Sequence, residues 1–370
     1  MKRIKLYAFF GKNLGDDLMV DILLKRYPQY RFFYDESNPC SDLFLAYPNF
    51  ENRVPFLRKY GKINYALNVL TRHKKEDFFL KRIFRRHGEK CSCGVLIGGS
   101  MFMQFKATGA RQVWWEELRF GELPRFVVGV NFGPYHTEEF LNAFDGYFNR
   151  CRGVTFRDRH SFELFAHNAN AAYAPDVVLN LPIQEYQDLQ TDGTVLISVL
   201  NVAGREHLAR FAPEYERFIL DCCETAIARG KRPVLMSFCQ KEGDEIAIEA
   251  LRKQMSQSVR NQTDVFYYNG NLQEALGMFA RAEYVVATRF HAMILALRFG
   301  KPFFSVAYSD KVKWVLDDLG CSAYCGMEQL AGLSAATVMD THHQCVDARD
   351  YIQQAAAQFA QLDAFLNQKG

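Results

Sequence analysis

"ATRFHAMILALRFGKPFFSV", residues 287–306, decides the fold. An apolar run, "EYVVA" (283–287), passes straight into Thr288, Arg289, Phe290 and His291, and an apolar helical pattern begins there. A second apolar run, "PFFSVAY", follows Gly300 and Lys301. Strand, helix and strand in close succession make a βαβ unit, which predicts a parallel sheet covered on both faces. Ligands of such sheets sit beyond the carboxyl ends of the strands, so a guanidinium and an imidazole at this joint ask for a ligand that uses both.

The same alternation runs outward in both directions. "RIKLYAFF" (3–10), "YRFFYD", "CGVLIGGS" (93–100), "RFVVGVNFGP" (125–134), "GVTFRD" (153–158) and "AAYAPDVVLN" (171–180) read as strands or strand ends. Helical patterns lie between most of them. "LPIQEYQDLQTDG" (181–193) breaks the rhythm and reads as a linker. Beyond it "TVLISVL", "RPVLMSF", "DVFYY" and the opening stretch resume the pattern, with helices expected at about 208–229, 242–257, 271–282, 291–300 and 310–319. The expected fold class is therefore α/β, with two doubly wound parallel-sheet domains at 1–183 and 194–330, a cleft between them and a C-terminal helical tail at 331–370.

Composition narrows the function classes. A chain of 370 residues, about half apolar, is long enough for a core in each of two domains. A net charge of +3 is too small to argue for nucleic-acid binding. The ten cysteines show no zinc-ligand spacing, and they read as buried or free thiols of a reducing compartment. No apolar run is long enough for a signal peptide or a membrane span, so the expected location is cytoplasmic. No clustered Asp, Glu and His set suggests an obligatory metal or cofactor.

Several joints carry chemistry-bearing residues. Thr288 reads as the N-cap of the helix that follows it. Arg289 and His291 then fall in the first turn, where N–H groups and the helix dipole favour an anion. A snorkelling Arg and a packed His are the plainer reading, but the coincidence of Arg, His and strand end favours a ligand. "GKNLGDD" (11–17) also joins a strand to a helix. Gly15 permits close backbone approach there, and Asp16 or Asp17 caps the helix or binds a substrate hydroxyl. "LIGGSMF" places Gly98, Gly99 and Ser100 after a strand, for a ligand or simply for tight packing. In "TFRDRHS", Asp158 reads as an N-cap and Arg157 as a strand-end cation facing the cleft. Asp176 sits in a loop.

The segment 58–90, with "RHKKEDFFLKRIFRRHGEK", combines an apolar stripe with a cationic face. It reads as a surface helix packed on its own domain, or as a peripheral contact with anionic lipid at the inner face of the membrane.

Taken in order, "GKNLGDD", "IGGSMF", "FRDRHS", "APDVVL" and "ATRFHAMILALRFGKPFFSVAYSDKV" resemble the polysaccharide pyruvyl transferase family over residues 3–320. The resemblance implies two Rossmann-like domains arranged as in GT-B glycosyltransferases, the first on the acceptor side and the second on the donor side. It also implies transfer of a pyruvyl group from phosphoenolpyruvate to a sugar of a cell-surface glycan or its precursor, forming a ketal, with a glycan or lipid-linked sugar as acceptor. The family's Arg–x–His motif falls on Arg289 and His291 as catalytic residues, and its strand-end Arg falls on Arg157. Thr288, Asp16, Asp17, Gly15, Gly98, Gly99 and Ser100 complete the expected substrate-binding set. A nucleotide-sugar glycosyltransferase of GT-B type and a catalytically inactive binding protein in glycan assembly are the competing readings.

Overall fold

A computed structural model describes residues 2–34, 42–52, 63, 66, 90–104 and 111–368. The basic segment 58–90 lies outside the described residues except at 63, 66 and 90. By contact the chain divides into two units. The first draws on residues 1–10, 19–177 and 356–370, the second on 11–18 and 178–355. The expected tail at 331–370 is thus shared between them, and "GKNLGDD" belongs with the second.

The first unit carries a seven-stranded, wholly parallel sheet in the order β3-β2-β1-β4-β5-β6-β7. Its strands are β1 (Arg3–Ala8), β2 (Arg31–Tyr34), β3 (Phe50–Asn52), β4 (Cys93–Ile97), β5 (Arg125–Val130), β6 (Gly153–Phe156) and β7 (Ala171–Tyr173). β4 is buried at every position, as expected of a strand covered on both faces. The helices are α1 (Leu14–Arg26, its first residues in the second unit), the single turn α2 (Asp42–Leu45), α3 (Arg111–Phe120), α4 (Glu138–Asn149) and α5 (Arg159–Leu164). Asp158 caps α5 as expected, accepting the N–H of Ser161 at 2.7 Å.

One side of this sheet is filled by aromatic rings. Phe148 of α4 meets Phe102, Phe132, Phe144, Phe156 and Phe165 at centroid distances of 4.9–6.2 Å. Emptying that position with Phe148→Ala removes about 3–5 kcal/mol.

The second unit carries a six-stranded parallel sheet in the order β10-β9-β8-β11-β12-β13. Its strands are β8 (Thr194–Ser198), β9 (Arg232–Ser237), β10 (Asp264–Tyr267), β11 (Ala282–Ala287), β12 (Phe303–Ala307) and β13 (Tyr324–Gly326). The helices are α6 (Ala212–Ala228), α7 (Asp244–Gln254), α8 (Gln257–Gln262), α9 (Leu272–Arg281), α10 (Phe290–Arg298), α11 (Asp310–Asp318), α12 (Ala335–Thr341) and α13 (Arg349–Gln354). The order reverses between β8 and β11, and at such a switch point doubly wound sheets leave a crevice outside their carboxyl ends.

α14 (Ala360–Gln368) belongs to the first unit, where Asp363 pairs with Arg26 and accepts from the Tyr27 hydroxyl. The two short strands β3 and β13 were not expected from the sequence. At three residues each they have no room for a period. Among the described residues no helix is long and apolar enough to cross a membrane.

Candidate active site

The joint between β11 and α10 lies at the switch point of the second unit. α10 is apolar nearly all round, with Phe290 and Ala292–Leu297 buried, so packing on every side pins its first turn. Thr288 was expected to cap this helix, but Arg289 occupies the N-cap position with extended backbone. The reason lies on the neighbouring strand. The Ser198 hydroxyl at the end of β8 accepts the N–H groups of both Thr288 (2.8 Å) and Arg289 (3.1 Å), keeping both residues ahead of the helix. The Thr288 hydroxyl instead accepts from buried Tyr215 at 3.2 Å.

Arg289 was expected to present an open fork to an anion. In the structure it is 6% exposed and both terminal nitrogens are occupied. One donates to Glu242, the other to Asp244. Asp244 is also held by the N–H groups of Phe238 and Cys239, each at 2.9 Å. Burial opposes the Arg289 charge, yet the two carboxylates outweigh it and hold the guanidinium above its ordinary pKa. Burial likewise opposes the Glu242 carboxylate, and Arg289 and Arg205 outweigh it, so Glu242 lies below its ordinary value. Arg289 is a strut between the loop after β9 and the start of α10.

His291 sits in the first turn of α10, half-buried, with Phe290 edge-on at 5.2 Å. Its ring lies on the backbone of Gly15. A β-carbon at Gly15 would come within 1.8 Å of His291 Nδ1, so only glycine allows the two helix starts to meet here. The loop before α1 is tied to the same place. The N–H of Leu14 donates to the Phe238 carbonyl at 3.0 Å, and Asn13 pairs with Cys239 in an isolated bridge. Asn13, not Asp16 or Asp17, caps α1, accepting the N–H of Gly15 at 3.1 Å.

Asp16 is half-buried in the first turn. Asp17 is fully buried, and its Oδ2 accepts from the Tyr268 hydroxyl at 2.6 Å. Burial pushes the Asp17 carboxyl up to about 6, against the pull of Tyr268, Lys12 and Lys241. Gly15, Asp16, Asp17, Thr288, Arg289 and His291 therefore all fall within the second unit.

Gly98, Gly99, Ser100 and Arg157 form a separate cluster in the first unit. Arg157 is 2% exposed, so it is a buried, paired cation rather than one facing open space. It donates to Asp176 at 3.0 Å and to Asn131 at 2.7 Å, and Ser100 donates to the same Asn131 oxygen at 3.0 Å. A β-carbon at Gly99 would lie 2.5 Å from an Arg157 terminal nitrogen. Here the diglycine gives tight packing of a guanidinium against backbone. Asp176, read as a loop residue, is the counter-charge that makes this burial tolerable.

Residues 13–310 match the family model described as polysaccharide pyruvyl transferase. The chain belongs to that family. Among solved structures, HepE from Anabaena, in complex with UDP and glucose, is similar with a TM-score of 0.57 and 12% identity over 99% of each chain. MnaA from S. aureus, solved with UDP, has a TM-score of 0.54 and 11% identity over 99% of this chain and 97% of its own. At these identities the likeness is one of fold, the two parallel-sheet α/β units found in GT-B glycosyltransferases.

In this pyruvyl transferase family member, several residues around the β11–α10 joint escaped the sequence reading. Asp244 and Glu242 follow β9 in "QKEGDE" (240–245). Tyr308, Ser309 and Lys311 follow β12 in "YSDK", which repeats the layout of "TRFH" after β11: a strand end, then a polar N-cap, then a nitrogen base two positions into the helix. That parallel was the available signal. Burial would raise the Tyr308 phenol, but Lys311, Arg289 and Arg205 together bring it below its ordinary pKa. Among the described residues no group of three or more His, Cys, Asp or Glu is placed to share a metal ion.

Proposed function

We propose that this protein transfers a pyruvyl group from phosphoenolpyruvate to a sugar of a cell-surface glycan or of its lipid-linked precursor, forming a pyruvate ketal. The observation that carries the reading is the half-buried imidazole of His291, held at a helix start by Gly15 within a family of pyruvyl transferases. The donor has a carboxylate and a phosphate on a three-carbon frame. A proton delivered to its methylene carbon leaves a cationic centre at the adjacent carbon, stabilised by the attached oxygen. One sugar hydroxyl adds there and loses its proton. Phosphate then departs with the carbon–oxygen bonding pair, and a second hydroxyl of the same sugar closes the ring. Of the two protons released by the sugar, one balances the methyl group formed and the other leaves with phosphate. His291 supplies the first proton and recovers one from the acceptor.

The test is incubation of the full chain with phosphoenolpyruvate and a panel of glycan and lipid-linked sugar acceptors. Phosphate release that depends on the acceptor, with the acceptor gaining the mass of pyruvate less one water, is the expected result. Transfer from UDP-, GDP- or CMP-sugars without phosphate release from phosphoenolpyruvate would replace this reading by glycosyl transfer. Donor binding without release to any acceptor would favour a non-catalytic role.

A further inference from the structure

The reaction proposed above makes a particular demand on the acceptor. Two hydroxyls of one sugar must be left open to react, so that ring is best gripped by its C–H face. A pyranose C–H face is apolar with weakly positive hydrogens, and the face of an aromatic ring is negative, so the two stack. The first unit presents such a ring.

In its sheet the strand order reverses between β1 and β4, and such a switch point leaves a crevice outside the carboxyl ends of the two strands. Their last residues, Ala8 and Ile97, are register partners, so Phe9 and Gly98 leave the sheet side by side. Phe9 is 46% exposed. Its neighbour Phe10 is 5% exposed and packs on Tyr34, Phe44 and Phe50 at centroid distances of 4.6–6.0 Å. Two residues earlier, Tyr7 is roofed by the Arg119 guanidinium, 3.3 Å from its ring centre. Among the described residues no ring or cation stands over Phe9. Of the exposed large apolar side chains among those residues, Phe9 is the one that follows a sheet strand. Leaving an aromatic ring half in water forgoes part of what burial would contribute, and here it does so where ligands of such sheets bind. Gly98 and Gly99 bring no side chain to this edge, and half-exposed Ser100 brings a hydroxyl.

We infer that Phe9 is the stacking platform of an acceptor subsite in the first unit: its bare face takes the C–H face of a pyranose ring and leaves the reacting hydroxyls of that ring uncovered. The platform rests on the pyruvyl-transfer reading given above, and it assigns the grip on the sugar to an apolar contact. Binding through a ring face selects for a pyranose, and it leaves the hydroxyl pattern to be read by polar groups at the same sheet edge.

Saturation-transfer NMR of the full chain with the methyl β-glycosides of glucose, galactose and mannose, in the presence of phosphoenolpyruvate, tests this for the native protein, Phe9→Ala and Phe9→Trp. Unfolding curves establish that each variant is folded. At least one glycoside should receive saturation at its ring C–H protons from the native protein and from Phe9→Trp. Phe9→Ala should weaken that glycoside roughly 5- to 30-fold. In the transfer assay given above, Phe9→Ala should raise the acceptor KM more than it lowers kcat. If phosphate is released to an acceptor and the glycosides bind Phe9→Ala as they bind the native protein, the platform is refuted and pyruvyl transfer stands. The same holds if phosphate is released and no glycoside binds. If a glycoside binds through Phe9 but phosphoenolpyruvate yields no phosphate with any acceptor, the platform stands and pyruvyl transfer fails. If no glycoside binds and no phosphate is released, both are overturned.

Discussion

The backbone of Gly15 lies directly beneath the imidazole of His291, so close that a methyl group on Gly15 would sit 1.8 Å from Nδ1. Two helix starts separated by most of the chain therefore share one space, and the ring orientation is set by the absence of a side chain. Gly15→Ala is expected to displace the ring or part the helices, costing about 1–3 kcal/mol by overpacking. Turnover should fall on the order of 100-fold from misplacement of the ring. In Gly15→Ala/His291→Ala stability should largely return while activity does not. Urea unfolding of the three variants reads this coupling, and strict additivity would contradict the contact.

His291→Ala alone should lower turnover by roughly 10²–10⁴ for a group that transfers protons in the reaction. Donor binding should change less than turnover does, because a group that transfers protons acts chiefly on the transition state. Steady-state kinetics separates the two effects, and near-native turnover would remove His291 from the mechanism.

Arg289 neutralises the fully buried Asp244 carboxylate as well as the exposed Glu242, so its loss acts first on the fold. Arg289→Met should destabilise the protein by about 3–5 kcal/mol, because Asp244 is left buried without its counter-charge. Arg289→Lys should be damaging too, since one ammonium cannot span both partners. Denaturant unfolding measures this. Full stability combined with lost donor binding would show that Arg289 touches the donor after all.

The carboxyl of Asp17 is raised from 3.8 to about 6 by burial. The folded chain therefore holds this proton up to higher pH than the unfolded chain does. The resulting stability is present in full below the unfolded value and is lost as pH rises through about 6. Compared with Asp17→Asn, the native protein should lose up to about 3 kcal/mol across that window and then run parallel to it. Denaturant unfolding of both proteins from acid to neutral pH checks the sign. A constant difference would mean that Asp17 does not titrate there.

The alternation of strands and helices was legible because a parallel strand covered on both faces must be apolar along its length. "TVLIS", "CGVLI" and "FFSVA" are buried at every position. The joint at Thr288–His291 was legible for the same reason: polar groups between two buried elements stand out from their surroundings. By itself the sequence determined the α/β class, the position of most long elements and the joint where the chemistry is proposed. Tertiary structure alone decided which partners those groups meet. Ser198, from a strand far away in the chain, moved the N-cap from Thr288 to Arg289. Glu242 and Asp244 closed the Arg289 fork, and Asp176 with Asn131 buried Arg157. Those outcomes depend on strand order and on how close two backbones come, and charge and hydroxyl patterns along one chain carry neither.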